Sequence, residues 1–244
     1  MKKPDLSDAF GHQLMDYYNT GKGKPEIVER EDGFISVGGY GPVRYFSEYK
    51  DWGELDKKTI QLAKGNVLDI GCGAGRHALY LQNEKKMSVT GIDVSPLAIK
   101  VCKLRGLKKA KLLPIDKVDQ LLPEKFDTVM MLGNNFGLLQ NFSKAQMILK
   151  NLYKITSEDG IIIAETTDPT TTDPDHTSYH KLNKKRGKMI GQLKIRVRYR
   201  KFADPWFEYL LVTKKELEKI IKGTGWKIRE YIDDGMGYTV ILEK

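Results

Sequence analysis

Three glycines at every second position follow a short apolar stretch in the first half of the chain. Gly71, Gly73 and Gly75 come directly after "VLDI" and directly before "RHALYL", whose apolar spacing is that of a helix. Glycines between a strand and a helix let the backbone turn sharply and approach a ligand closely. The dinucleotide fingerprint requires a glycine at position 76, where this sequence has Arg76. The spacing therefore predicts a site for a nucleotide-like ligand that lacks a pyrophosphate.

Acidic residues recur at the predicted strands around these glycines. Asp69 lies in the strand before them, Asp93 ends the second strand "SVTGIDV", and Asp116 ends the third strand "KLLPID". Open α/β sheets bind ligands at the carboxyl ends of their strands, where a carboxylate can accept hydrogen bonds from ribose hydroxyls. We therefore expect Asp93 to bind a ribose and Asp116 to meet a base edge. The alternative is that each aspartate only caps the helix that follows.

From residue 66 onward, apolar strands alternate with helical patterns. Ser95 and Pro96 mark a helix start, with an N-cap residue before a proline in the first turn. Strands that are apolar on both faces predict a parallel sheet covered by helices on two sides. At the C-terminus, "WKIREYI" and "GYTVILEK" are joined by a tight turn at Asp233 to Gly235, which makes this last pair antiparallel.

Two regions lie outside this core. Residues 1–60 predict a helix at "DAFGHQLMDYYN", a hairpin around Glu31 to Gly33, and the aromatic segment "GYGPVRYFSEYKDW". Residues 61–244 form the main domain. Within it, a loop with two prolines leads into an inserted antiparallel hairpin at about 176–212.

Composition narrows the class of protein. The 244 residues carry a net charge of +9, and ten lysines or arginines with no acidic residue lie between positions 180 and 201. No apolar run approaches the roughly 18 residues that span a membrane, and the N-terminus lacks the apolar core of a secretory signal. The two cysteines, Cys72 and Cys102, are far apart in the sequence. We therefore expect a cytoplasmic protein without a disulfide framework.

Four segments together resemble the class I S-adenosylmethionine-dependent methyltransferases. They are "LDIGCGAGRHALYL", "VTGIDVSPLAI", "LLPID" and "FDTVMMLGNNFGLL", and the resemblance extends from about Asn66 to the C-terminus. It implies an α/β, Rossmann-like sheet of seven strands, mostly parallel with an antiparallel last strand, and S-adenosylmethionine as cofactor. By the same resemblance, the cofactor-binding residues are Tyr45, Asp69, Gly71, Gly73, Gly75, Arg76, Asp93, Val94, Asp116, Gly133 and Asn134.

The resemblance also implies that the N-terminal segment closes over the cofactor as a lid, which gives its aromatic and basic residues a role. Tyr40, Tyr45 and Phe46 are candidates to shelter the sulfonium cation, because aromatic faces attract positive charge. Arg44 or Arg76 would pair with the carboxylate of the cofactor. The alternative for the aromatic residues is plain packing of the N-terminal segment on the core.

The sequence says less about the methyl acceptor. "GNNFG" lacks the two prolines that methyltransferases of exocyclic base amines carry, which favours an oxygen or nitrogen of a small molecule. Candidates for the catalytic residue are Asn135, His180 and Tyr199, with Tyr179 beside them, and nothing in the sequence selects among them. His176 and His180 are four residues apart, but the prolines predict a loop there, so we expect no metal site.

The stretch "KIRVRYR" alternates strictly in character. As a strand it would present Lys194, Arg196, Arg198 and Arg200 on one face. This face is either a solvated edge or a surface for an anionic acceptor. The favoured function is methyl transfer to a small molecule, with an anion as one option. The alternatives are methylation of RNA bound by this hairpin, or binding of the cofactor without catalysis. The sequence does not indicate an oligomeric state.

Overall fold

The computed structural model describes residues 7–37, 41–171, 176–233 and 235–244. Its strands are β1 (Ile27–Arg30), β2 (Ile35–Val37), β3 (Asn66–Ile70), β4 (Ser88–Asp93), β5 (Lys109–Leu112), β6 (Phe126–Met131), β7 (Thr156–Thr167), β8 (Gln192–Tyr199), β9 (Phe202–Ala203), β10 (Phe207–Leu210), β11 (Lys227–Asp233) and β12 (Gly237–Glu243). Its α-helices are α1 (Ala9–Thr20), α2 (Val43–Phe46), α3 (Glu54–Ile60), α4 (Arg76–Asn83), α5 (Pro96–Leu104), α6 (Phe142–Ile155), α7 (Thr177–Lys185) and α8 (Lys214–Ile221). Short 3-10 turns lie at Tyr49–Asp51, Ile115–Leu121 and Asn135–Leu139.

The larger sheet has seven strands in the order β11-β12-β7-β6-β3-β4-β5. All neighbours are parallel except β12, which pairs antiparallel with both β7 and β11. One face packs against α6 and α8, and the other packs against α3, α4 and α5. Successive residues of β3, such as Val67 and Leu68, are fully buried on opposite faces. The predicted α/β, Rossmann-like fold with an antiparallel last strand is confirmed.

The predicted end of the third strand was wrong by a few residues. The third strand, β5, ends at Leu112, because Pro114 has no N–H to continue the ladder. Helix α6 begins at Phe142, and the side chain of Asn141 caps it by accepting a hydrogen bond from the Lys144 N–H at 3.0 Å. Strand β7 starts at Thr156, which pairs with Phe126 across an irregularity in β6.

The smaller sheet joins the two regions that lie outside the core. Its order is β10-β8-β1-β2, with β9 paired to β8, and all neighbours are antiparallel. The predicted hairpin at Glu31 to Gly33 connects β1 and β2, and the predicted inserted hairpin contains β8 and β10. The pairing of β1 with β8, in which Val28 opposes Val197, was not predicted. The N-terminal segment and the insert therefore build one sheet.

The predicted loop through His176 and His180 was wrong, because α7 begins at Thr177. Pro169 lies upstream and leaves the helical hydrogen bonds of α7 intact. The buried side chain of Asn183 donates to the carbonyls of Ile190 (3.0 Å) and Gln192 (2.8 Å), which ties the end of α7 to β8.

Helix α1 lies between the smaller sheet and α5. The Asp8 carboxylate caps α1 by accepting from the Gly11 N–H at 3.1 Å, and it also accepts from the Leu97 N–H of α5 at 3.0 Å. On the other side, the Ala9 N–H donates to Asp204 at 2.7 Å. No helix in the described parts of the chain combines the length and apolar character that crossing a membrane requires.

Asp8 should therefore contribute measurably to stability. Replacing it by alanine leaves two helix N–H groups without their partner and puts a residue with a Cβ but no polar side chain at a φ of 62°. We expect Asp8→Ala to lower the free energy of unfolding by about 1–3 kcal/mol, as measured by urea titration. Asp8→Asn is the matched control, because asparagine both caps helices and tolerates this conformation. An equal loss in both variants would contradict the capping role.

Candidate functional site

The glycine loop crosses the carboxyl end of the larger sheet. Gly71 and Gly73 have φ values of 71° and 54°, which favour glycine. A Cβ on Gly71 would lie 2.6 Å from the amide nitrogen of Asn135. The Gly71 and Cys72 N–H groups donate to the Ile92 carbonyl at 2.9 and 3.1 Å, so the loop is fixed to the end of β4.

Asp93 connects this loop to α5. One carboxylate oxygen accepts from the Gly73 N–H at 3.0 Å, and the other accepts from the Ser95 N–H at 2.9 Å. Burial raises the pKa of Asp93, and these backbone hydrogen bonds oppose the shift. A carboxylate has about four acceptor positions, so Asp93 keeps capacity for the two hydroxyls of a ribose.

Apolar surface lies beside this carboxylate. Val94 and Leu112 are 67% and 56% exposed, and Leu112 is paired with Asp93 in the sheet register. Exposed apolar side chains at a strand end are suited to pack against a flat base. Val94 was a predicted cofactor residue, whereas Leu112 was missed.

Two further aspartates were predicted to bind the cofactor, Asp116 and Asp69. Asp116 was predicted to end a strand, but it lies in the 3-10 turn Ile115–Leu121, with one oxygen 3.8 Å from the Lys144 ammonium. Its contact with a base stays a prediction. Asp69 is buried inside β3, and burial together with the charge of Asp93 raises its pKa to about 7.

The two cysteines meet under the glycine loop. The Sγ atoms of Cys72 and Cys102 lie 3.8 Å apart as free, buried thiols, and the Cys102 thiol donates to the Gly73 carbonyl at 3.1 Å. The hydrogen bond between Cys72 and Cys102, in which the Cys72 thiol is the donor, and burial raise the pKa of Cys72 well above its ordinary value. Both thiols therefore serve as small packing groups here.

The turn after β6 brings two asparagines to the same edge. Asn134 has a φ of 69°, and its side-chain oxygen accepts from the Thr167 N–H at 2.8 Å. The Asn135 amide donates to the carbonyls of Ile70 and Gly71, both at 3.0 Å. Asn135, one of the catalytic candidates, thus holds the glycine loop in position, and an amide cannot accept a proton at neutral pH.

The sequence interpretation missed two residues at this edge, Glu165 and Tyr209. The Gly133 N–H donates to the Glu165 carboxylate at 2.6 Å. The Tyr209 hydroxyl donates to the Asn134 carbonyl, and its ring covers Gly137. Glu165 could have been identified by the same rule as Asp93, because it too stands near the end of an apolar strand. Tyr209 comes from the insert, which no local pattern connects to this edge.

The N-terminal segment covers the loop from above. A Cβ on Gly73 would lie 3.6 Å from the Phe10 ring and 3.8 Å from the Tyr45 ring. These two rings form an edge-to-face pair with centroids 5.0 Å apart. Phe46 stacks on the guanidinium of Arg105 at 4.7 Å. Tyr40, which was also predicted to shelter the sulfonium, lies outside the described residues.

Arg76 and Arg44 were predicted to pair with a ligand carboxylate. The Arg76 guanidinium instead donates to Asp56 at 2.6 Å and lies over the Trp52 ring at 4.7 Å. Asp56 comes from α3, and no local pattern in the sequence connects it with Arg76. Arg44 is exposed on α2.

The remaining catalytic candidates lie in the smaller sheet and its neighbours. The Tyr199 side chain is buried, and its hydroxyl donates to Asp16 of α1 at 3.0 Å. The Tyr179 hydroxyl donates to Glu31 at 3.1 Å, and burial raises its pKa to about 12. His180 lies on α7, where burial lowers its pKa. These contacts are with β1, β8 and α1 rather than with the glycine loop. Within the described residues, no group of acidic, histidine or cysteine side chains has the arrangement of a metal site.

A comparison with known families identifies the family to which the chain belongs. Residues 62–225 match the family model described as "Methyltransferase domain". The chain belongs to this methyltransferase family. The resemblance to class I S-adenosylmethionine-dependent enzymes is thereby confirmed, and the alternative of a binding protein without catalysis loses its support.

Solved structures agree with this assignment. A methyltransferase from Bacteroides fragilis, in complex with S-adenosylhomocysteine, shares 26% identity with this methyltransferase. It superposes with a TM-score of 0.81 over 98% of this chain and 96% of that chain. The CcbJ methyltransferase of Streptomyces caelestis has the same fold, with a TM-score of 0.63 over 98% and 99% of the two chains, at 15% identity.

Curated relatives match shorter stretches and act on different acceptors. The tRNA U34 carboxymethyltransferase of Shewanella denitrificans is 35% identical over 95 residues, which are 36% of this chain and 28% of that protein. The malonyl-[acyl-carrier protein] O-methyltransferase of Bacillus anthracis is 27% identical over 128 residues, which are 52% and 46% of the two chains. This methyltransferase therefore spans less than half the length of these two relatives.

The residues present fit S-adenosylmethionine. Gly73 has no side chain, and the nearest atoms to its backbone on that side belong to the rings of Phe10 and Tyr45, which could contact a ligand bound along the loop. Asp93 can accept from a ribose, Val94 and Leu112 offer apolar surface, and the tyrosine and phenylalanine rings are suited to a sulfonium cation.

The raised pKa of Asp69 predicts a pH-dependent stability. The folded chain holds a proton on Asp69 up to about pH 7, whereas the unfolded chain releases it near 3.8. The folded state therefore binds more protons between these values, and its stability falls as the pH rises toward 7. Asp69→Asn should remove this dependence and raise the free energy of unfolding at pH 8 by about 2–4 kcal/mol. Urea titrations at pH 5, 6.5 and 8 measure it, with the exposed Asp159→Asn as control. Parallel pH profiles for wild type and Asp69→Asn would contradict the assignment.

The role of Asp93 can be tested by binding. Asp93→Asn removes the charge from two hydrogen bonds to a ribose, each worth about 1.5–3 kcal/mol. We expect calorimetry to show S-adenosylhomocysteine bound at least tenfold more weakly by this variant, while the exposed Asp119→Asn binds as wild type does. NAD should bind more weakly than S-adenosylhomocysteine to the wild type. Unchanged affinity in Asp93→Asn would remove the ribose assignment.

Proposed function

We propose that this enzyme transfers the methyl group of S-adenosylmethionine to a nitrogen or oxygen of a small molecule. The arrangement at the end of β6 and β7 carries this proposal. There Glu165 and Tyr209 stand beside Gly133 and Asn134, which the family resemblance puts near the methionine part of the cofactor. The bound cofactor supplies a methyl group that is already activated as a sulfonium.

The protein's contribution is alignment and exclusion of water. Phe10 and Tyr45 cover the loop, which supports the predicted lid role of the N-terminal segment. Tyr209 comes from β10, so the smaller sheet provides one wall of the acceptor site. Holding the two reactants in line accounts for much of the catalysis of such a displacement. The acceptor loses a proton in the reaction, and we assign its removal to Glu165, whose carboxylate is held beside Gly133.

The basic stretch from Lys194 to Arg200 favours an anionic acceptor less strongly in the structure than it did in the sequence. Arg196 and Arg198 form ion pairs with Glu29 of β1 at 2.8 and 3.3 Å, and Arg200 pairs with Asp16 of α1 at 3.1 Å. Three of the four cations on this predicted face are thus opposed by carboxylates of the N-terminal segment.

Methylation of RNA is the second candidate. The match to a tRNA-modifying relative favours it, together with the net charge of +9. Salt dependence separates the two candidates, because a protein that neutralises several phosphates loses orders of magnitude in affinity between about 50 and 200 mM salt.

The decisive measurement is release of S-adenosylhomocysteine in the presence of defined acceptors. We expect release with a panel of small amines and alcohols, and no increase with total RNA. Replacing Arg196, Arg198 and Arg200 together by glutamine should leave turnover of the small acceptor within about threefold, since these residues pair with Glu29 and Asp16. The control is Lys227→Gln, which removes a cation from β11, an edge strand of the larger sheet. RNA-dependent release that is steeply salt-sensitive and lost in the triple variant would establish the second candidate instead.

A further inference from the structure

One arginine side chain connects the N-terminal segment to the glycine loop. Arg105 caps the C-terminal end of α5. Its Nη1 donates to the Ala74 carbonyl at 2.6 Å and, over a longer distance of 3.4 Å, to the Tyr45 carbonyl. The guanidinium carbon lies over the Phe46 ring, 4.7 Å from its centroid. A single side chain therefore contacts both the glycine loop and α2.

These contacts use properties that distinguish arginine from lysine. A guanidinium is planar and always charged, and each of its terminal nitrogens has two N–H bonds. Nη1 can therefore serve two carbonyls while the flat face of the group remains free for an aromatic ring. Ala74 is only 1% exposed, so its carbonyl is shielded from water and takes its hydrogen bond from Arg105.

Helix α2 depends on its surroundings, because it is a single turn of four residues, Val43–Phe46. A helix of this length is not stable by itself. The Tyr45 ring pairs with the Phe10 ring at 5.0 Å between centroids. The Phe46 ring lies 4.8 Å from the Tyr17 ring. Both partners belong to α1, so these pairs connect α2 with the rest of the N-terminal segment.

The contact between α2 and the domain of residues 61–244 has a different character. Tyr45 and Phe46 pack against an apolar cluster from α1, α5 and the glycine loop, and such packing has no preferred direction. Within the described parts of the chain, no hydrogen bond other than that from Arg105 joins α2 to this domain. Because this bond ends on the backbone of Tyr45, it sets the position of the ring that lies beside Gly73.

We propose that Arg105 is a positioning residue for methyl transfer, which holds Tyr45 and Phe46 against the glycine loop and so keeps the cofactor covered. This inference rests on the lid role of the N-terminal segment in the proposed function. A lid that opens more often releases its ligand faster, whereas entry of the ligand requires only that the lid is open. Loss of the Arg105 contacts should therefore raise the dissociation rate of the ligand far more than it changes the association rate.

Surface plasmon resonance with S-adenosylhomocysteine tests the inference without knowledge of the acceptor. Arg105→Met keeps a long, unbranched side chain and removes every donor. We expect it to raise the dissociation rate about tenfold and to change the association rate by less than about threefold. Arg105→Lys should recover part of this loss, because an ammonium can still donate to one carbonyl. Arg229→Met, which removes an exposed arginine from β11, is the matched control and should show wild-type rates.

A double-mutant cycle separates this role from a purely structural one at the glycine loop. Phe46→Leu removes the aromatic ring from the lid and leaves the hydrogen bond between Arg105 and Ala74 in place. If both residues act through the same contact, the combined variant should release the ligand no more than about twofold faster than Arg105→Met alone. In the S-adenosylhomocysteine complex, deuterium uptake by residues 43–52 should rise in Arg105→Met and stay at the wild-type level in the control.

Each result decides the question. An unchanged dissociation rate in Arg105→Met would overturn the positioning role. It would also be overturned if the factors of the two single variants multiply in the combined variant, because the residues would then act independently. If Arg105→Met fails to fold, the cycle is measured with Arg105→Lys and read in the same way. Absence of S-adenosylhomocysteine binding to the wild type would instead overturn the proposed function.

Discussion

The N-terminus of α5 is the point on which the rest of the structure depends. A helix begins with N–H groups that have no partner within the helix. In this protein side chains from three places satisfy them: Asp93 accepts from Ser95, the Ser95 hydroxyl accepts from Ala98, and Asp8 accepts from Leu97. The carboxyl end of β4, the helix itself and the N-terminal segment are therefore joined within one helical turn.

This junction explains how the N-terminal segment is held near the cofactor. Asp93 also accepts from Gly73, so the carboxylate that anchors α5 is the one that shapes the glycine loop. Asp8 then aligns α1 so that Phe10 meets Gly73. A displacement of α5 would move the loop and its cover together. The position of the Asp93 carboxylate and the position of α1 are thus linked through a few backbone N–H groups.

The sequence was informative where structure is determined by neighbours along the chain. The glycines after β3, the cap at Ser95 and the hairpin at Glu31 were all predicted, because each depends on a few adjacent residues. The partners of Arg76, Arg196 and Tyr209 were not, because Asp56, Glu29 and Asn134 come from distant segments. The basic strand is the plainest case: a run of cations is visible in the sequence, but the carboxylates that oppose it are about 170 positions away.

The pairing of β1 with β8 has a consequence for how this enzyme can be altered. Strand β10, which carries Tyr209, and β1, which follows the helix that carries Phe10, belong to a single hydrogen-bonded sheet. A graft of either piece from another enzyme would leave a strand of the remaining piece without its partner, with exposed backbone groups that invite aggregation. An exchange between enzymes must therefore include two separate segments. Residues 7–37 and residues 177–210 would be transferred together, and the seven-stranded sheet of the recipient would be kept.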